Sequence, residues 1–397
     1  MPDARPAPRS SLPVRLRMHA GYHWRNNGHP LLTRVRAVWD SRGGAVFPSV
    51  RSDLGEVSVG YSGLSEGLAY TLEFTELRRE QATKESARRT EGQVTGGQLR
   101  SPARLPDTDI VIVGTSAAHA RRLPAGSSLI VPMRVHFVVD LDDGPEAVHR
   151  RISKREREQF SRIRRAHRWS WDLDSSPEWF DVFYDRYYRP TMFRRHGTRE
   201  RTEAKDVAYE CLFRTGRMFV LSQDGERVGG ALCHWDRVGR VLTLRLLGVA
   251  DGTQQHYSSG AFKAIYHFLI DWSARNGVRR LDFQGTEPFL SKGTYQWKRR
   301  FGTRVIQPPN HFGAKRLWFH VRRDTPAVRD FLAANPLLAE TPRGQLEAVY
   351  FQDAERPPRL EYSAKSPGVE GIRHVDLDAF LAPTAQDRLY RPGRRKL

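Results

Sequence analysis

Two stretches hold residues whose types and spacing could do chemistry. One is Asp282-Phe283-Gln284-Gly285-Thr286-Glu287, at the end of an expected strand Val278–Phe283. Side chains alternate along a strand, so Asp282, Gln284 and Thr286 share a side and could face one cleft. Glu287 stands at the strand's exit, where the catalytic residues of open sheets gather. A carboxylate there can take a proton. The bland alternative is a helix cap or an ion pair with Lys292 or Arg299. The other stretch is Gln255-x-x-Ser258-x-Gly260, just ahead of an expected helix. Small residues let backbone amides approach a ligand, and a helix N-terminus favours negative charge, so a phosphate is a natural guest. Plain N-capping by serine is the alternative.

The flanking elements explain how these stretches come together. Val241–Val249 is an apolar run broken only by Thr243, Arg245 and Gly248, which suits a strand buried on both faces. After a polar loop, Ser258-Ser259-Gly260 opens a helix with Ala261, Ile265, Phe268, Leu269 and Trp272 at helical spacing, and Asn276-Gly277 ends it. The strand Val278–Phe283 comes at once, so the two strands should be parallel with a right-handed crossover. Upstream, Met218–Ser222, Asp224-Gly225, Arg227–Trp235 and a turn at Asp236–Gly239 read as an antiparallel meander.

This β-β-β-α-β order, with its Gln-x-x-Ser-x-Gly loop, resembles the coenzyme-A-binding core of the GNAT acyltransferases, with Ser258 where that pattern has its first glycine. Lys292–Gly302 (KGTYQWKRRFG) resembles the short helix after the second core strand, and its Lys-Arg-Arg-aromatic-Gly ending looks like the Fem-type branch with two GNAT-like lobes. Pro190–Gly197 (PTMFRRHG) resembles Fem-type sequences too. The resemblance spans about Asp109 to Arg323. It implies an α/β fold with a mixed sheet and two lobes joined by a basic helix. It also implies an acyl-CoA or acyl-carrier-protein donor lying between the two parallel strands, with the amine acceptor attacking directly and no metal. On that footing Leu247, Val249, Gln255, Ser258, Ser259 and Gly260 hold the donor. Glu287 or Asp282 takes the proton and Tyr295 protonates the leaving group. Arg194, His196, Gln284 and Lys298 line the substrate side, and Lys298 holds a phosphate or the tetrahedral oxyanion. The Fem branch implies aminoacyl-tRNA as another donor. A non-catalytic basic binding protein on the same scaffold is the reading from a different class.

Composition narrows the classes. There are 65 Lys and Arg against 45 Asp and Glu, a net +20. The excess is concentrated in residues 1–36, 150–168 and 385–397, which argues for an acidic partner such as RNA, a carrier protein or an anionic membrane surface. No run is long enough to span a membrane, and the Arg- and Pro-rich start lacks the apolar core of a secretory signal. The two cysteines, Cys211 and Cys233, read as buried thiols of a cytoplasmic protein. No nucleophile elbow, Walker loop, His-Glu-x-x-His or Cys-x-x-Cys occurs.

The expected organisation is a flexible basic arm over 1–30, an N-terminal lobe over 31–147, the acyltransferase lobe over 148–323, and a helix with a weakly structured tail over 324–397. Val35–Trp39, Ala45–Val50 and Glu56–Tyr61 read as short strands, and residues 80–106, poor in apolar residues, as a disordered insertion. Val148–Arg168 reads as one Arg-rich helix, and Pro177–Arg189 as an aromatic-faced helix stopped by Pro190.

Overall fold

The computed structural model describes residues 11–197 and 202–382, with only the backbone of His196. The first ten residues, the basic run at 385–397 and the side chain of His196 lie outside the described residues. In chain order the strands are β1 (Val46–Leu54), β2 (Val57–Gly63), β3 (Arg88–Thr95), β4 (Ile110–Ser116), β5 (Ser128–Pro132), β6 (Val135–Asp140), β7 (Trp169–Leu173) and β8 (Arg217–Gln223). They continue with β9 (Glu226–Asp236), β10 (Val241–Val249), β11 (Arg280–Thr286), β12 (Arg304–Ile306), β13 (Lys315–Val321), β14 (Leu337–Glu340), β15 (Leu346–Gln352) and β16 (Val369–Asp376). Helices include α1 (Leu12–Asn26), α2 (Pro30–Asp40), α3 (Lys154–Ala166), α4 (Pro177–Val182), α5 (Arg189–His196), α6 (Gln254–Ser259) and α7 (Ala261–Arg275). The mixed α/β class expected from the sequence is observed.

The chain divides into two compact units. The first comprises Met1–Asn26, His136–Gln284 and Lys298–Arg304. Its sheet runs β12-β6-β11-β10-β9-β8-β7. β8, β9 and β10 form the expected antiparallel meander, turned at Asp224 and Gly225, both at positive φ as a tight hairpin requires. α7 crosses from β10 to β11, which pair parallel. It buries Ala261, Ile265, Leu269 and Trp272, the stripe that the spacing indicated. On α4 and the π-helical turn that follows it, Trp179, Phe180, Phe183, Tyr184, Tyr187 and Tyr188 are all buried, so the aromatic stripe is core. Cys211 and Cys233 are buried free thiols.

The second unit holds a six-stranded sheet, β3-β1-β2-β4-β13-β5, and a three-stranded one, β14-β15-β16. β13, buried along its whole length, pairs with both β4 and β5, which ties residues beyond 305 to the early part of the chain. The units therefore do not follow the boundaries expected at 147 and 323, and the described part of the expected tail, residues 337–382, holds β14, β15, β16 and a short helix. Residues 80–106, expected to be disordered, contain β3, which pairs with β1 over eight residues. Its side chains are mostly exposed, so an edge strand formed here through backbone ladder bonds without the apolar residues that a core strand needs. The expected arm contains α1 and the start of α2, and the expected strand at Val35–Trp39 is part of α2. Val148–Arg168 breaks at Ile152, and Ser153 caps α3 by accepting from the Glu156 amide. Pro190 does not stop the aromatic helix. The π turn before it loosens the hydrogen-bond register, and the helix goes on as α5.

The π turn lies directly on β10. A Cβ on Gly248 would sit 2.5 Å from the backbone carbon of Tyr187 and 2.6 Å from its oxygen. Gly248→Ala is expected to cost about 1–3 kcal/mol, since the obstacle is backbone and cannot swing away. Thermal unfolding checks this: an unchanged melting temperature would show that the turn yields.

Candidate active site

β10 and β11 pair over three residues only: Val241 with Arg280, Leu242 with Leu281 and Thr243 with Asp282. Beyond that, β10 continues to Val249 and β11 past Gln284, with no further pair between them among the described residues. Two local distortions accompany the parting. Opposite β9 the register of β10 slips between Leu244 and Leu246, so Arg245 is bulged. On β11, Gln284 adopts φ +58°, in the left-handed region that a residue with a Cβ rarely enters. That turn lets two successive carbonyls, which in a regular strand point opposite ways, converge on one ammonium. Lys298 Nζ donates to Phe283 O at 2.7 Å and to Gln284 O at 3.1 Å. The end of β10 is held from another element: the Val249 amide donates to Thr191 Oγ1 at 3.0 Å. Leu247 pairs with Ala231 of β9.

A row of side chains crosses the sheet where the strands part. His234 stands opposite Thr243, and Thr243 opposite Asp282. Residues directly opposite in neighbouring strands share a face. Asp282 Oδ2 meets His136 Nδ1 of β6 at 2.8 Å, with both residues buried. The Gln284 amide donates to Asp282 Oδ1 at 2.7 Å. Burial works against the charged carboxylate, but His136, the Gln284 amide and Lys298 outweigh it and hold Asp282 below the usual aspartate range. An ionised carboxylate on Nδ1 requires that nitrogen to carry the proton. In the neutral ring Nε2 then bears the lone pair, the arrangement of an oriented base. Next to this row, Arg245 donates to Asn26 Oδ1 at 2.8 Å, approaches Glu203 at 3.4 Å, and lies over the Tyr22 ring at 5.4 Å. Burial and Arg245 push His234 below the ordinary histidine range.

The structure brings Asp282, Gln284 and Lys298 together, but Lys298, expected on a phosphate or an oxyanion, holds the carbonyls of Phe283 and Gln284, and Thr286, expected beside Asp282 and Gln284, belongs to the second unit. Glu287 and Tyr295 belong to the second unit. Glu287 faces Lys292 Nζ at 3.3 Å and accepts from Thr286 Oγ1 at 2.7 Å. Burial would raise its carboxyl, but Lys292, Arg134 and Thr286 hold it below the usual glutamate range. Tyr295 is fully buried. Gln255, Ser258 and Ser259 lie on α6, a short helix where a loop was expected. Gly260 is the joint between α6 and α7, at φ +95°, and a Cβ there would come within 2.5 Å of Ile163 of α3. That space is filled by the protein's own side chain. Arg194 is exposed on α5.

His136 was missed. Residues 134–141 read as an alternating strand with nothing to mark a site, and the partner of His136 is 146 residues away, so no local spacing announces the pair. The basic run at 150–168, read from the sequence as a face for an acidic partner, takes a definite shape. His149, Lys154, Arg157, Glu158, Ser161, Arg162 and Arg165 line an open groove along α3. Lys154 lies 3.9 Å from Glu158, but among the described residues Arg157, Arg162 and Arg165 have no ion pair or side-chain hydrogen bond.

No family model and no curated protein matches the chain. Solved structures similar to it include L-PGS from Bacillus licheniformis, at 12% identity and TM-score 0.35, covering 77% of this chain and 96% of that one. The C-terminal domain of a putative lysylphosphatidylglycerol synthetase from Agrobacterium fabrum is similar at 11% identity and TM-score 0.36, covering 79% and 93%. FemX is similar at 9% identity and TM-score 0.38, covering 77% and 96%. At such scores these likenesses carry names rather than geometry, and the chemistry must come from the parted strands and their side chains.

Asp282→Asn should lower stability by about 1–3 kcal/mol at neutral pH, because it removes a buried charged acceptor. The sign follows from the depressed carboxyl: its stabilisation is complete above the unfolded value of about 3.9 and is lost as pH falls through the lower folded value. In denaturant melts the stability gap between the two proteins should therefore begin to narrow below about pH 4 and close only below the lower folded value; a gap that stays constant as the acid deepens would contradict this.

Proposed function

We propose that the chain is an N-acyltransferase that moves an acyl group from an activated carrier to an amine by direct attack. The observation that carries this reading is the early parting of β10 and β11 with the buried Asp282–His136 pair at its root. The gap offers unpaired strand edges to an extended donor arm. In the step proposed, the amine nitrogen attacks the acyl carbonyl carbon, and its proton passes to His136 Nε2. The new C–N bond forms as the C–S or C–O bond to the carrier breaks, and the departing sulfur or oxygen takes a proton. Asp282 orients the ring and steadies the imidazolium, as a carboxylate does behind any histidine base. Glu287, held by Lys292 and Thr286, has no step in this scheme.

Acyl-CoA or an acyl carrier protein is one donor. The groove on α3 favours a second reading, an aminoacyl ester carried on RNA. Three unpaired guanidiniums there suit a run of phosphates, and Ile163 occupies the space beside Gly260 where a coenzyme pyrophosphate was expected.

Mass spectrometry of acceptor amines after incubation with acyl-CoA or with aminoacyl-tRNA tests the reading. One donor should give an acylated product. His136→Ala should lower kcat by about 10²–10⁴-fold with little change in the KM for donor, while Glu287→Gln should leave turnover near wild type. Full activity in His136→Ala would remove the base, and no product with either donor would favour a non-catalytic basic binding protein. If RNA is the carrier, reversing the charge of Arg157, Arg162 and Arg165 should weaken its binding and flatten the salt dependence by about one unit of slope per lost phosphate contact. An unchanged slope would separate the groove from the donor.

A further inference from the structure

α2 is built inside out. Its buried residues are Thr33, Arg36 and Ala37. Of its five large apolar residues, Leu31, Val35, Val38 and Trp39 are 58–64% exposed and only Leu32 is half-buried. The four recur at i, i+4, i+7 and i+8, so they form one stripe. Arg36 is fully buried and donates to Asn27 O at 2.6 Å and to Thr33 Oγ1 at 2.9 Å. Asp40 is paired with Lys315 Nζ at 2.7 Å. The polar face is thus committed to the fold, and the apolar face is left outside. α1, in the first unit, also exposes Leu12, Leu16 and Trp24.

A soluble helix places its stripe the other way, and an exposed apolar stripe marks something that covers it. Charge indicates what. Within the unit that holds α2, residues 27–42 contain three arginines, Arg34, Arg36 and Arg42, and one acid, Asp40, which is already paired; of the three only Arg36 is buried. Arg34 is exposed, and the Arg42 guanidinium lies 4.6 Å from the centre of the Trp39 ring. Leucine and valine inside a basic rim, with tryptophan at the helix end, is the composition of a helix lying in the headgroup region of an anionic bilayer. A nucleic acid would answer the arginines but not the aliphatic stripe. A second copy fits poorly: eleven residues make a helix of about 16 Å, and a stripe about 10 Å wide presents on the order of 200 Å², against about 800 Å² per partner in a stable interface. Two such faces would also bring like charges together.

We propose that α2 docks this protein on the surface of an anionic phospholipid bilayer, with Leu31, Val35, Val38 and Trp39 inserted among the headgroups and Arg34 and Arg42 on the lipid phosphates. The inference does not depend on the reaction proposed above.

Co-sedimentation of the full chain with phosphatidylcholine vesicles, with and without phosphatidylserine, tests it. Wild type should bind the anionic vesicles, less so in high salt. The triple variant Leu31→Ser, Val35→Ser, Trp39→Ser should bind about tenfold or more weakly, with an unchanged melting temperature because these side chains face outward. Arg34→Glu should weaken binding with the stripe intact. Absence of binding by wild type, or equal binding by the triple variant, overturns the proposal. So does a concentration-dependent dimer that the triple variant abolishes, since the stripe would then belong to a second copy. Acyl transfer to a soluble amine is expected to survive in the triple variant, so loss of docking and failure of the acyltransferase reading are told apart.

Discussion

The constraint that shapes this molecule is the shortness of one ladder. Two parallel strands inside a sheet normally stay paired, because each unmade backbone bond in a buried place costs about 1–3 kcal/mol. Here β10 and β11 separate after Thr243 and Asp282. Part of the loss is offset by side chains that replace the missing strand: Lys298 takes the carbonyls of Phe283 and Gln284, and Thr191 takes the Val249 amide. The bulge at Arg245 and the left-handed Gln284 fix where the parting happens. A gap maintained by a buried lysine, a threonine cap and a strained residue has several independent causes, and strain of this kind tends to persist where function over-determines it.

The polar row at the root of the gap belongs to the same construction. Asp282 is both the last residue of β11 paired with β10 and the partner of His136 and the Gln284 amide. One carboxylate therefore stands at the place of separation, supports the left-handed turn and fixes the tautomer of the buried histidine it pairs with. Backbone geometry and proton chemistry are joined in a single side chain, so a change at Asp282 cannot affect one without the other.

Much of the first unit was legible in the sequence. The apolar run Val241–Val249, the Asp224-Gly225 turn and the helical spacing after Gly260 are local signals, and local signals led to the right meander, crossover helix and parallel strand. Asp282 and Gln284 could be named because strand alternation is local too, and Lys298 from the basic stretch just after that strand. What was not legible is non-local. His136 became a candidate only when β6 came to lie beside β11. The placement of β13 between β4 and β5 joins segments about two hundred residues apart in sequence. β3 defeats a compositional reading because an edge strand needs ladder bonds more than apolar side chains. α2 defeats a periodicity reading for the opposite reason: its apolar stripe is real but faces outward.

The charge has also become specific. Acidic partners within the fold engage many of the arginines, as Asp140 engages Arg280 and Arg304. Among the described residues the guanidiniums of Arg157, Arg162 and Arg165 have no such partners, and Arg34 and Arg42 flank the apolar stripe of α2. A net +20 is therefore partly internal glue and partly two exposed faces of different character.

The claim at the centre is that the space between β10 and β11 receives an activated acyl donor. A crystal structure of the protein with a non-hydrolysable donor analogue, a coenzyme A thioether or an amide-linked aminoacyl nucleoside, tests it most directly. The account predicts density for the donor arm beside Leu246–Val249, with the acyl carbonyl near His136. Density elsewhere on the protein, or β10 and β11 drawn together with the gap closed, would contradict it.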